Sequence, residues 1–184
     1  MRALGPGSVS SFLKIILDVV FAALWIGLGV VALLTLAALL LSYNPDLLGD
    51  LTSADTGETA RNSSIRELLE NGPAVAGGLL GMGLYVGGIL VIVGSLRRIF
   101  TTLTIGDPFH PDNVARLRLI GLMLAGLELG RYAFWAISAW AFSGVDRIQP
   151  SLSLTAWFSV LVVFVLAEVF REGARLRREA ELTI

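Results

Sequence analysis

Glu128 and Arg131 are the side chains best placed to do chemistry, because they lie three residues apart inside the apolar stretch LMLAGLELGRYAFW. On a helix that spacing lets the carboxylate meet the guanidinium. Counted from Arg118 at ~1.5 Å per residue, Glu128 lies ~15 Å along the stretch. An isolated charge at that depth in lipid costs roughly 2.5–3.5 kcal/mol or more, so the pair is expected to face the protein interior and neutralise itself. The pair reads either as a proton or substrate site or as an internal ion pair that fixes helix register. No second acid at comparable depth continues a relay.

Two further acids, Asp18 and Glu168, sit about a turn inside the ends of other apolar stretches. Lys14 precedes Asp18 by four and Arg171 follows Glu168 by three, which suits local interfacial pairs. Alternatively the two carboxylates point inward and hold the segment 97–118. His110 is the one histidine, and cysteine is absent, so disulfides, thiolate metal sites and clustered imidazole ligands have no residues to rest on. His110 is expected to be a surface or hydrogen-bonding residue, with pH sensing as the alternative. The chain carries no Walker loop, no G-x-S-x-G and no H-E-x-x-H. No catalytic residue, cofactor or metal is therefore expected, and the chain reads as a non-enzyme.

The elements that must position these side chains follow from hydropathy. Of 184 residues, 55% are hydrophobic and 16% charged, and the mean hydropathy is +0.76, more apolar than a soluble domain tolerates. Crossing a ~30 Å hydrocarbon core takes about 20 apolar residues in a helix, because backbone groups there must pair internally. Four stretches qualify, at about 12–41, 74–96, 119–142 and 152–170. The expected fold is an all-α, integral membrane four-helix bundle forming a single four-span domain, with an outer loop over 44–72, a cytoplasmic loop over 97–118 and a helical cytoplasmic tail over 171–184. The first stretch runs on past any secretory h-region without a small-residue cleavage site, so it reads as an uncleaved anchor.

Orientation comes from the basic residues. Arg2, Lys14, Arg97, Arg98, Arg116, Arg118, Arg171, Arg175, Arg177 and Arg178 fall on one side, against Arg61, Arg66 and Arg147 on the other. The positive-inside rule then puts both termini and the middle loop in the cytoplasm, and Tyr43, Trp140 and Trp157 fall at the outer interface where amphipathic rings prefer to sit. The expected location is a bacterial inner membrane. A net charge of -1 offers no field for direct nucleic-acid binding. Asn62-Ser63-Ser64 matches a glycosylation acceptor by spacing alone. In the second span Gly77/Gly81 and Gly83/Gly87 are four apart, which suits close helix packing within one bundle or a homo-oligomer.

The middle segment reads RRIFTTLTIGDPFHPDNVARLRLIG. Gly106, Pro108 and Pro111 break the helix, and Asp112-Asn113 are expected to cap the next one. Phe109, an apolar residue between two prolines, is expected to plug back into the bundle. After the last span, Arg175/Glu179 and Arg177/Glu181 fall four apart, so the tail reads as a charge-laced helix.

This segment and the tail together resemble the bacterial membrane family catalogued as domain of unknown function 2975. The matching residues are Phe100, Gly106, Pro108, Phe109, Asn113, Leu117, Arg118 and Gly121, then Glu168, Val169, Phe170, Arg171, Gly173 and Leu176, and the terminal Glu181-Leu182-Thr183-Ile184. Ile184 stands where the family has Val, and Glu181 where Asp is usual. The resemblance implies no catalytic residue. Its members are often encoded beside a small helix-turn-helix regulator, which implies a membrane component of a regulatory pair. The expected function is partner binding through the cytoplasmic loop and tail. The rival is a small oligomeric transporter or channel that uses Glu128.

Overall fold

Each apolar stretch becomes one helix in the computed structural model, which describes residues 9–43, 72–105, 109–141 and 152–182. The helices are α1 (Val9–Tyr43), α2 (Gly72–Ile105), α3 (Pro111–Ala141) and α4 (Leu154–Glu181). No strand occurs among the described residues. All four contain windows long and apolar enough to cross a membrane: Phe12–Leu40, Ala74–Thr104, Pro111–Trp140 and Leu154–Ala180. Only 6–11% of each window is buried inside the protein, so outward side chains such as Ile26, Leu84 and Phe158 require lipid to cover them. This is a multi-pass membrane protein.

The helices outrun the hydropathy bounds. α2 continues past Leu96 to Ile105, α3 begins at Pro111 rather than near Leu119, and α4 runs past Phe170 to Glu181. Most of the segment expected as a loop over 97–118 is therefore helix, and the connection shrinks to residues 106–110. Hydropathy measures the bilayer, whereas a helix continues wherever its backbone bonds and packing allow. The expected outer loop lies outside the described residues up to Gly72, where α2 starts, as do Arg61, Asn62, Arg66 and Arg147.

The start of α3 also differs in its cap. His110, not Asp112 or Asn113, precedes the first helical turn: its carbonyl accepts from the Asn113 N–H at 2.9 Å and its Nδ1 accepts from the Asp112 N–H at 3.2 Å. Pro111 at the first helical position sacrifices no bond, since its missing N–H would have been an orphan. At α4 the cap is Ser153, whose hydroxyl accepts from the Ala156 N–H at 3.3 Å.

The chain divides into two compact units, Met1–Leu24 with Gly88–Ile184, and Trp25–Gly87. In the first, Ile99, Leu117, Ile120 and Ala167 form a buried core, joined by Leu96, Leu124, Val163 and Phe170. Helices approach closely at two glycines. A Cβ at Gly88 would stand 2.5 Å from Leu127 Cδ2, and one at Gly121 3.1 Å from the Phe164 ring. In the second unit Val31 and Ala76 are buried, and the buried Thr35 hydroxyl satisfies itself by donating to the Val31 carbonyl at 2.7 Å. Of the glycines expected to permit close approach, Gly83 makes ordinary contact with Val31, while Cβ atoms at Gly77 and Gly87 would meet nothing within 4 Å. Gly88, Gly121 and Gly173, where a Cβ would meet a neighbouring side chain at 3.1 Å or less, belong to neither four-apart pair.

Candidate functional site

The short connection between α2 and α3 is held against α4 by a ring in a notch. Phe109 lies against Gly173, where a Cβ would stand 2.6 Å from Phe109 Cε1 and 2.7 Å from Cδ1. Only a residue without a Cβ leaves room for the ring there. The same ring makes a tilted pair with Phe170, centroids 5.6 Å apart and planes at 51°. The ring expected to plug back packs on one face against α4 and stays 36% exposed.

A polar lock sits beside it. Asn113 is fully buried, and its Nδ2 donates to Thr102 Oγ1 on α2 at 2.7 Å. Thr102 in turn donates to the Ile99 carbonyl at 2.7 Å. Asn113 Oδ1 accepts from Arg116 at 3.1 Å, and Arg116 reaches back to the Arg98 carbonyl at 3.4 Å. An amide suits this position because it donates and accepts at once, joining α2 to α3 across the connection. Burial of such a network is tolerable only when its members are paired.

Two carboxylates on other helices then hold the flanks of the connection. Asp18 on α1 accepts from Arg97 Nε at 2.5 Å, and the Arg97 guanidinium also lies 4.5 Å from the centre of the Phe21 ring. Glu168 on α4 pairs with Arg171 one turn on and with Arg118 of α3 at 3.9 Å. For Asp18 the local partner expected from spacing, Lys14, is displaced by Arg97 from a different helix. Both acids reach residues of the segment 97–118 on another helix, but neither is buried: the Asp18 and Glu168 side chains are 40% and 55% exposed. The local pair survives only at Glu168.

Phe109, Asn113, Arg118, Glu168, Phe170, Arg171 and Gly173 are thus gathered at one end of the first unit. Gly106 and Pro108 lie outside the described residues, as do Thr183 and Ile184. The model of a family described as "Protein of unknown function (DUF2975)" matches residues 19–184. The chain belongs to this family. No curated protein and no solved structure matches it. In this DUF2975 chain Phe109, Phe170 and Gly173 seat the connection on α4, and Arg118 meets Glu168 beside them.

Glu128 and Arg131 form a separate site. The Glu128 side chain is only 11% exposed, and its Oε1 accepts from Arg131 Nη2 at 2.6 Å and from the Tyr132 hydroxyl at 2.7 Å. Arg131 is 48% exposed and lies 5.2 Å from the Tyr132 ring centre. Tyr132 then accepts from the Ser153 N–H at 3.3 Å, tying the network to the first turn of α4. Sequence reading missed Tyr132, although its position four after Glu128 is hydrogen-bonding spacing. The links of Ser153 and Thr102 to α3 gave no local signal, because Tyr132 and Asn113 reach them from another helix.

Proposed function

We propose that this protein is a non-enzymatic regulatory component of a bacterial inner membrane, with both termini in the cytoplasm, that binds a soluble partner at the signature end. The positive-inside distribution supports the orientation. The observation carrying the reading is an open groove of ≈ 440 Å³ beside the latched connection, lined by Pro111, Val114, Arg171, Glu172, Ala174, Arg175 and Arg178. Arg171 and Arg175 are ion-paired with Glu168, Glu172 and Glu179, which leaves Arg178 as the groove cation with no ion pair among the described residues. An acidic partner group fits there, and the resemblance stated above makes a small helix-turn-helix regulator the partner of choice. No direct contact with nucleic acid is needed.

The test is purification of the tagged full chain in mild detergent, with mass spectrometry of what accompanies it. A small DNA-binding regulator should accompany the wild type and Glu128→Gln, and be lost from Arg175→Glu/Arg178→Glu. Equal recovery with the charge-reversed chain, or none with the wild type, rejects the reading. The Glu128 network favours a register-fixing pair over a coupling carboxylate, because Oε1 already accepts two hydrogen bonds from its own helix. The transporter reading, and a homo-oligomer to enclose its path, have no comparable support.

A further inference from the structure

A second groove, of ≈ 480 Å³, opens between the first turns of α1 and the last turns of α2, and its lining is sorted by depth. Going into the apolar part of α1 one meets Lys14, then Asp18, then Phe21. Going the same way down α2 one meets Thr101, then Arg97 and Arg98, then Val91 and Leu90. The two antiparallel helices thus place their cations at the same, outer end of the groove and their apolar side chains at the inner end. Thr101 to Leu90 spans ~16 Å along α2, which is long enough to hold a headgroup and the first part of an acyl chain.

Charge within the groove is unbalanced. Lys14, Arg97 and Arg98 stand against the single carboxylate of Asp18. Asp18 and the Phe21 ring hold Arg97 in place, which makes it a fixed wall rather than a free ligand. Lys14 and Arg98 have no ion pair among the described residues and remain to take an anion.

We propose that this groove binds an anionic phospholipid, its phosphate between Lys14 and Arg98 and its acyl chain along Phe21, Val91 and Leu119. Basic pockets between spans at a membrane surface have the chemistry for this. The apolar floor distinguishes a lipid from free phosphate, which would gain nothing from it.

The experiment is native mass spectrometry of the full chain in detergent with equal amounts of phosphatidylglycerol and phosphatidylcholine. Wild-type protein should retain the anionic lipid preferentially. Lys14→Gln/Arg98→Gln should weaken retention by about thirtyfold, since each cation near the surface contributes roughly fivefold. Val91→Trp, which keeps every charge but fills the apolar floor, should also weaken it. Arg177→Gln, basic but outside the groove, should not. Equal retention of the two lipids, unchanged retention in both groove variants, or an equal loss with Arg177→Gln overturns the proposal. Displacement of the lipid by millimolar inorganic phosphate also overturns it, because the site would then recognise the free anion.

Discussion

Replacing Gly173 with alanine should have opposite effects depending on whether Phe109 is present. In the interior of a helix the change from glycine to alanine stabilises by about 1 kcal/mol. Here the new methyl would stand 2.6 and 2.7 Å from two carbons of the Phe109 ring, well inside the ~3.5–4.0 Å at which carbons attract. If the ring stays, overpacking costs about 1–3 kcal/mol. If it swings away, the pair with Phe170, worth about 0.5–1.5 kcal/mol, is lost with the rest of its contacts. Either outcome cancels or exceeds the helical gain, so Gly173→Ala alone is expected to be neutral or destabilising by up to ~2 kcal/mol. In a Phe109→Ala background the obstacle is gone, and the same substitution should stabilise by about 1 kcal/mol. The coupling between the two sites is then about 1–3 kcal/mol. Unfolding of the four chains by a denaturing detergent, followed by tryptophan fluorescence and circular dichroism, measures it. If Gly173→Ala acts equally in both backgrounds within ~0.5 kcal/mol, the ring does not seat in the notch and the latch is wrong.

Other outcomes follow from the remaining contacts. Asn113→Leu should destabilise by about 1–3 kcal/mol by stranding partners on α2 and α3, and adding Thr102→Val should recover part of that loss in the same unfolding assay. Glu128→Gln leaves the Arg131 charge without its carboxylate, so thermal stability should fall, and Glu128→Gln/Arg131→Met should regain some of it. No regain would mean that the pair does not share a desolvated site. The chain has no cysteine, so single-cysteine variants report topology cleanly. An impermeant maleimide added to intact cells should label Thr56→Cys and spare Thr183→Cys, and the reverse pattern would invert the orientation and place the docking groove outside.

Contacts along one helix were legible in the sequence, and contacts between helices largely were not. Glu128 with Arg131, Glu168 with Arg171 and Arg175 with Glu179 all follow from helical spacing. Asp18 shows where such reasoning stops. Lys14 was correctly spaced, but Arg97 reached the carboxylate from α2 with a short hydrogen bond and ring support, and spacing along α1 has no means of registering that competitor. Asn113 shows the same from the other side. Its sequence position suggested a cap, because asparagine beside aspartate after a proline has that local chemistry. Its buried bond to Thr102 took precedence and left the cap to His110. Phe109 was legible because an apolar side chain between two prolines has few ways to hide, although its socket at Gly173 was not.

The two ends of α3 constrain each other through α4. Arg118 meets Glu168 at one end and Tyr132 meets Ser153 at the other, fourteen residues apart on α3 and fifteen on α4, or ~21 and ~22 Å. The helices are therefore in register along that length, and sliding one past the other would break the Glu128–Tyr132–Ser153 chain and unseat Phe109 together. Glu128 lies only four residues, ~6 Å, from the level of the Ser153 contact. It fastens the far end of the pair while Phe109 and the Arg118–Glu168 contact fasten the near one. Both sets of residues most apt for chemistry in the sequence are occupied in holding α3 and α4 in this one register. The groove cations with no ion pair among the described residues are Lys14, Arg98 and Arg178, and the proposed binding is best tested on these three.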